Sequence, residues 1–205
     1  AGVFIYRPCN MNHTDLLKRL VSDNKAKAYL EIGVGRGSCF REIDCEIKVG
    51  VDPRPGSSVT HQCTSDEFFQ KNRRKFDVIF IDGDHTEAQV TRDLENALKY
   101  LKKGGFIVVH DVFPRNARMQ MVPRQTIEWT GDVWKAWVRF VHKHEMCVTM
   151  RDDYGIGVYN VSLPEMATPI VPDTLNYEWY TKNRGIAMNV IDGDELWELL
   201  EYSTE

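Results

Sequence analysis

Residues 28–37 read Ala28-Tyr29-Leu30-Glu31-Ile32-Gly33-Val34-Gly35-Arg36-Gly37, a short apolar run that breaks into three glycines at alternate positions. The run predicts a buried strand, and the glycines predict a turn where the backbone comes very close to a bound molecule. A helix predicted over residues 38–44 would begin at this turn and direct its free N–H groups at that molecule. The stretch therefore predicts a ligand-binding strand–turn–helix unit.

Around this unit, apolar runs and turn residues predict that strands and helices alternate with short connections. This pattern predicts an α/β fold: a doubly wound, mostly parallel seven-stranded sheet with helices on both faces. The other strands are predicted at residues 47–51, 59–63, 76–81, 106–109, 146–150 and 154–161. One helix is predicted at residues 15–22 behind a Thr14 cap. Two more are predicted to begin at the capping pairs Thr64/Glu67 and Thr86/Gln89, the second of them closed by residues 102–105. Two others are predicted at residues 132–144 and 194–202.

The chain divides into a main domain over residues 1–161, which includes an N-terminal helix at 14–23, and an extension over residues 162–205. The extension has a proline-rich linker and a short acidic helix, which we expect to pack on the domain or on a second subunit. A homodimer is one arrangement that this leaves open.

Bulk properties exclude several classes of protein. The chain has 205 residues and a formal charge of −4, so it has no overall basic character for general nucleic-acid binding. No apolar run approaches the roughly 20 residues that span a bilayer. The five cysteines (9, 39, 45, 63 and 147) are odd in number and include no Cys-x-x-Cys pair, which is typical of reduced thiols in a cytoplasmic protein.

Acidic and imidazole groups follow several of the predicted strands. Asp52 stands 19 residues after Gly33 at the end of the second strand, where a carboxylate can accept hydrogen bonds from ribose hydroxyls. Asp82-Gly83-Asp84-His85 follows the strand at 76–81, and His110-Asp111 follows the strand at 106–109. Because ligands bind at the carboxyl edge of open α/β sheets, these groups are expected to lie together beside the glycine turn.

These motifs give the sequence its family resemblance. The Glu-x-Gly-x-Gly-x-Gly pattern resembles the first motif of class I S-adenosylmethionine (SAM)-dependent methyltransferases, and the resemblance covers about residues 25–161. The Asp-Gly-Asp-His motif, the Lys-Gly-Gly before the next strand and His110-Asp111 are similar to a branch of small-molecule and sugar O-methyltransferases. The resemblance implies a Rossmann-like methyltransferase fold and SAM held by Glu31, Gly33, Gly35, Gly37, Asp52, Ser65, Asp66 and Asp82.

The resemblance also implies that Asp82, His85, His110 and Asp111 carry the chemistry, in one of two arrangements. In one, Asp82, Asp84 and Asp111 bind Mg²⁺ or a similar cation that lowers the pKa of the acceptor hydroxyl. In the other, His85 or His110 is the general base. Val112 stands where several catechol-type relatives have a further ligand, which favours the second arrangement.

A long loop over residues 112–130 is expected to bind the acceptor, because loops of this length in compact domains are usually functional. Its arginines, Arg115, Arg118 and Arg124, suit bidentate recognition of a phosphate or carboxylate, so a small anionic acceptor is predicted.

Two other functions remain open on the sequence alone. One is a non-methylating nucleotide-binding protein of the NAD type, although the dinucleotide fingerprint requires glycine where Ser38 stands. The other is a catalytically silent methyltransferase-like module that docks a partner through the C-terminal tail.

Overall fold

One seven-stranded sheet organises the protein in a computed structural model that describes residues 11–202, so the expectation for Cys9 lies outside the described residues. The strands are β1 (Ala28–Ile32), β2 (Ile47–Val51), β3 (Phe76–Ile81), β4 (Leu101–His110), β5 (Cys147–Met150), β6 (Ile156–Tyr159) and β7 (Val190–Ile191). They lie in the order β2-β1-β3-β4-β6-β5-β7. The first four are parallel, β6 is antiparallel to both neighbours, and β7 is parallel to β5.

Helices cover both faces of this sheet, as the sequence predicts for a doubly wound fold. The helices are α1 (His13–Asp23), α2 (Ser38–Glu42), α3 (Ser65–Lys71), α4 (Glu87–Tyr100), α5 (Val133–His144), α6 (Tyr177–Ala187) and α7 (Gly193–Tyr202). Apolar residues of α1, α2 and α7 form the core on one face, and those of α3, α4, α5 and α6 form the core on the other. Within residues 11–202 no helix is both long and apolar enough to cross a membrane.

Helix starts follow the capping signals with one exception. Thr64 and Glu67 form a reciprocal capping box at α3, and the Thr86 side chain accepts from the Gln89 amide at α4. At α1 the predicted Thr14 cap is wrong, because Asn12 is the N-cap and its side chain accepts from Asp15 N. Asparagine is a stronger N-cap than threonine, and the helix therefore begins earlier, at His13.

The predicted number of strands is right, but one member of the set is wrong. Residues 59–63 form only a single bridge, between His61 and Val51, because Thr60 exchanges side-chain and backbone hydrogen bonds with Gly50 and turns the chain. The seventh strand is instead β7, in the C-terminal tail. Residues 102–105 do not close a helix either, since β4 already begins at Leu101, which pairs with Phe76.

The C-terminal tail adds to the main sheet. Strand β7 pairs with β5, and α7 buries Leu196 and Trp197 in the core beside α1. Helix α6 was not predicted because its apolar residues are mostly aromatic and do not form a single clear stripe. It packs Tyr180 against Trp134 and Phe113.

Candidate active site

The glycine turn after β1 lies directly against the end of β3. Gly33 has φ +89°, Gly35 +54° and Gly37 +72°, so all three adopt a backbone conformation that side-chain-bearing residues rarely take. A Cβ atom on Gly33 would stand 2.1 Å from the backbone oxygen of Asp82, whereas one on Gly35 would meet nothing within 4 Å. Gly33 is therefore required for close packing of the turn, while Gly35 faces open space.

Asp52, at the end of β2, ties this turn in place. Its carboxylate accepts hydrogen bonds from Gly35 N and from Arg54 N, both at 2.8 Å, and it is almost fully buried. Each carboxylate oxygen has a further acceptor site. Its predicted ribose role is not tested by these contacts and stays a prediction.

Ser65 and Asp66, which the family resemblance predicts to contact the adenine of SAM, lie at the start of α3 in a hydrogen-bonded group. The Gln89 side chain donates to the buried Ser65 hydroxyl at 3.0 Å and to Asp66 and Asp93. Arg92 pairs with Asp66. Burial raises the pKa of Asp93 to about 6. Ser65 and Asp66 thus lie on a fixed turn, and their contact to adenine stays a prediction.

Glu31, in the middle of β1, is a buried acid beneath the glycine turn. It is 1% exposed and accepts a hydrogen bond from the Tyr29 hydroxyl at 2.6 Å. Burial raises the pKa of Glu31 to about 7, and the charge of Asp82 adds to the rise. The folded protein therefore takes up a proton here that the unfolded chain releases near pH 4.5.

This buried acid predicts a pH-dependent stability. Because folding raises the pKa of Glu31, ionising its carboxylate in the folded protein lowers the free energy of unfolding. This loss is absent below pH 4.5 and grows as pH rises towards 7, reaching at most about 3 kcal/mol. Glu31→Gln should therefore gain free energy of unfolding relative to the native protein at pH 8 but not at pH 4.5. Denaturant titrations at both pH values measure this, with the exposed Glu42→Gln as control. An equal effect of Glu31→Gln on the free energy of unfolding at both pH values would contradict the raised pKa of Glu31.

Three of the predicted catalytic residues form a compact group at the carboxyl edge. Nδ1 of His85 lies 3.1 Å from Oδ2 of Asp111, and Nε2 of His85 lies 3.7 Å from Oδ1 of Asp82. Asp111 has φ +61°, a strained conformation for a side-chain-bearing residue that directs its carboxylate into the group. Burial raises the pKa of Asp111 to about 6, although the nearby histidines lower it.

His110 is held between two carboxylates. Its Nδ1 lies 3.2 Å from Oδ1 of Asp82, and its Nε2 lies 3.4 Å from Oδ2 of Asp153. Burial disfavours the charged ring, but the contacts with Asp153 and Asp82 outweigh this and raise the pKa of His110 well above its ordinary value. His110 therefore holds a proton more tightly than an ordinary histidine, which makes it the weaker candidate for the general base of the two histidines left open by the sequence.

The predicted acceptor loop covers His85. The Trp129 ring is stacked on the His85 ring at a centroid distance of 5.2 Å and an angle of 7°. Gly131, with φ +61°, passes so close that a Cβ atom there would overlap the His85 backbone oxygen. The loop thus fixes one face of the His85 ring.

The donor set for a cation differs from the predicted one. Ligand atoms of Asp82, His85 and Asp111 all lie within 4.8 Å of one another, whereas Asp84 is exposed and outside this group. Nδ1 of His85 is buried and has no hydrogen bond of good geometry. The residues present therefore fit a divalent cation, but with a nitrogen ligand that suits Mn²⁺ or Zn²⁺ better than Mg²⁺.

The three loop arginines do not act as a unit. Arg124 donates from Nε to the Thr126 carbonyl at 2.8 Å and also donates to the Ile127 carbonyl, so its guanidinium already binds its own loop. The Arg115 guanidinium lies 4.7 Å from the Tyr154 ring centroid. Arg115 and Arg118 are both exposed.

Two residues of this region, His13 and Asp153, were not expected from the sequence. Nδ1 of His13 lies 2.5 Å from Oδ2 of Asp153, and both residues border His110. No spacing rule could have joined them, because they lie 140 positions apart.

Comparison with known proteins agrees with this geometry. A family model for a methyltransferase domain matches residues 52–112, from the end of β2 to the residue after Asp111. The matched segment contains the turn at Ser65, the Asp-Gly-Asp-His motif and His110-Asp111.

Solved structures of methyltransferases share the fold. A methyltransferase from Podospora anserina, PaMTH1, bound to S-adenosylhomocysteine (SAH), has a TM-score of 0.56 at 14% identity, with 71% of this chain and 76% of that one covered. An O-methyltransferase from Bacillus cereus in complex with SAH has a TM-score of 0.52 at 15% identity, with 75% of this chain and 84% of that one covered. TomG from Streptomyces achromogenes is an O-methyltransferase involved in tomaymycin synthesis and was solved with SAM. It has a TM-score of 0.52 at 15% identity, with 71% of this chain and 77% of that one covered.

Sheet order, glycine turn and strand-end acids define an α/β protein of the class I methyltransferase fold. Residues 52–112 of the chain match a methyltransferase-domain model, and the fold is shared with solved methyltransferases. The fold and class predicted from the sequence are confirmed.

Proposed function

We propose that this protein transfers the methyl group of SAM to a hydroxyl oxygen of a small molecule. SAM would bind across the glycine turn and Asp52, with its sulfonium methyl beside Asp82. The acceptor oxygen attacks this methyl carbon, the carbon–sulfur bond breaks, and SAH leaves. The acceptor's proton passes to a group of the protein.

One observation carries this proposal: the cofactor turn and the acid–imidazole group are in direct contact. The backbone of Gly33 is packed on the backbone of Asp82, and the side chain of Asp82 faces His85 and His110. A methyl donor seated on the turn is therefore next to groups that can orient and deprotonate a nucleophile. Such alignment can lower the barrier by several kcal/mol without covalent chemistry by the protein.

His85 is the group that we assign to proton removal. The contacts of His110 with Asp153 and Asp82 raise its pKa, whereas His85 faces Asp111 at Nδ1 and Asp82, at the longer distance of 3.7 Å, at Nε2. Asp111 orients the ring and stabilises the imidazolium that forms when the proton arrives. A positioned base of this kind contributes roughly 10²–10⁴ in rate.

The same residues support a second route to deprotonation. Asp82, His85 and Asp111 would hold a divalent cation, which would lower the pKa of an acceptor hydroxyl bound to it. Two observations favour this alternative: the three ligand atoms converge, and Nδ1 of His85 makes no hydrogen bond of good geometry.

Exhaustive chelation separates the two routes. With His85 as the base, we expect methyl transfer to keep its full rate after dialysis against a strong chelator, because every group required is part of the chain. The rate is measured by SAH release before and after chelation. Loss of activity that Mn²⁺ or Zn²⁺ restores would instead establish the cation.

Asp52 gives a direct test of the cofactor site. Asp52→Ala should raise the Kd of SAM by about 10- to 150-fold, because it removes charged hydrogen bonds worth roughly 1.5–3 kcal/mol. Calorimetry with SAM and SAH measures this, and the exposed Asp44→Ala serves as control. An unchanged Kd would remove Asp52 from the site.

NAD is the comparison ligand that tests whether the protein binds SAM rather than a dinucleotide. SAM and SAH should raise the melting temperature of the native protein, and NAD should leave it unchanged. Tighter binding of NAD would favour a non-methylating nucleotide-binding protein. SAM binding without turnover on any acceptor would favour the silent module.

The acceptor, assembly and location follow from weaker features. Arg115 and Arg118 are exposed on the predicted acceptor loop and support an anionic acceptor. The free thiols of Cys39, Cys45, Cys63 and Cys147 support a reducing compartment, the cytoplasm. A homodimer would use the outer surface of the C-terminal helices.

A further inference from the structure

A second side-chain group lies behind the catalytic one and brings three distant segments together. His13 comes from the first turn of α1, His110 from the end of β4, and Asp153 from the turn between β5 and β6. The His13 and His110 rings lie 4.5 Å apart between centroids. Neither His13 nor Asp153 has a part in the cofactor site or in the proton removal described above.

Asp153 is the centre of this group. Its Oδ2 accepts from His13 N at 2.8 Å and contacts His13 Nδ1 at 2.5 Å. Nε2 of His110 approaches the same oxygen at 3.4 Å, a charge contact without the geometry of a hydrogen bond. Three nitrogen groups thus surround one carboxylate oxygen.

His110 extends this arrangement into the active site. Its ring reaches from Asp153 on the Nε2 side to Asp82 on the Nδ1 side, 3.2 Å from Oδ1. The ring is 10% exposed, so water cannot readily replace either contact. The orientation of His110 therefore determines which nitrogen Asp82 meets, and Asp82 lies where the methyl group is transferred.

We propose that Asp153 and His13 are positioning residues that hold the His110 ring so that its Nδ1–H group donates to Asp82. This inference rests on the proposed methyl transfer, since Asp82 is the group through which it acts. It adds the first turn of α1 and the β5–β6 turn to the machinery of the site.

Removal of the central carboxylate should lower turnover without affecting the cofactor. In Asp153→Ala, kcat should fall by about 10- to 100-fold, because His110 can turn away from Asp82 and the alignment at the methyl group is lost. The Kd of SAM and the KM of the acceptor should change by less than about threefold, since Asp153 is outside the cofactor site and the proton-removing group proposed above. The adjacent Asp152→Asn is the matched control.

His13 provides a graded test in case Asp153→Ala does not fold. His13→Ala should also lower kcat, and His13→Asn should restore most of it, because an amide nitrogen can replace Nδ1 as the donor to Asp153. Equal kcat values for the alanine and asparagine variants would overturn the role of the ring.

A spectroscopic readout separates this proposal from the methyl-transfer assignment. The ¹⁵N and ¹H signals of the His110 ring should shift in Asp153→Ala and His13→Ala but not in Asp152→Asn, whatever the acceptor. Unchanged ring signals and kcat in both variants would overturn the proposal while SAM binding stood. Failure of the native protein to bind SAM would instead overturn the proposed function. The ring signals of His110 would then still test whether Asp153 and His13 hold its ring. Stoichiometric Zn²⁺ binding that Asp153→Ala abolishes would also overturn the positioning role, in favour of a metal site.

Discussion

Gly33→Ala should abolish detectable SAM binding and lower the free energy of unfolding by about 3–5 kcal/mol. The new Cβ would stand 2.1 Å from the backbone oxygen of Asp82, so the turn and the end of β3 would have to separate. The positive φ of +89° adds strain that glycine does not have. Because β1 and β3 are hydrogen-bonded neighbours, such a separation would move both the cofactor turn and Asp82.

Gly35→Ala is the matched control for this variant. It lies two residues along the same turn, also has positive φ, and has open space where a Cβ would go. It should cost only the strain of the left-handed conformation, about 1–2 kcal/mol. Denaturant unfolding and SAM calorimetry on both variants make the comparison. Equal losses for Gly33→Ala and Gly35→Ala would show that backbone conformation alone, and not contact with Asp82, makes the glycine necessary.

His85→Ala should lower kcat by about 10²- to 10⁴-fold while the Kd of SAM stays within about threefold. The ring is the group that faces Asp111 at 3.1 Å and Asp82 at 3.7 Å, and both routes to deprotonation need it, one as a base and the other as a ligand. Single-turnover measurements at saturating SAM isolate the chemical step. Together with the chelation experiment, the variant distinguishes a base from a ligand.

The control for His85 is His142→Ala. His142 is exposed on α5, where its ring contacts Thr168. It should leave kcat and stability nearly unchanged, as surface substitutions usually do. If His85→Ala kept most of its activity in chelator, Asp82 would become the better candidate for the base, since it is the next group along from His85 in the same cluster.

Much of the fold could be predicted because its signals are local. The glycine turn, the capping pairs at Thr64 and Thr86, and the apolar run of β3 each specify their element within a few residues. The errors occurred where a distant partner decides. Strand β7 is only two residues long and exists because β5 offers it an edge. Residues 59–63 have the composition of a strand, but Thr60 bonds back to Gly50 and turns the chain.

The candidate site divides in the same way. The sequence by itself determined the fold, the glycine turn and the acids at the strand ends, because parallel strands necessarily bring their carboxyl ends to one edge. Only the tertiary structure shows which carboxylates surround each histidine. His110 and His85 both follow strands in similar polar motifs, yet Asp153, 43 positions beyond His110 in the sequence (153 − 110), reaches the Nε2 of His110 and not that of His85. The charge of a buried imidazole depends on the carboxylates that surround it in space, and those carboxylates come from β3 and the β5–β6 turn, which only the folded sheet brings together.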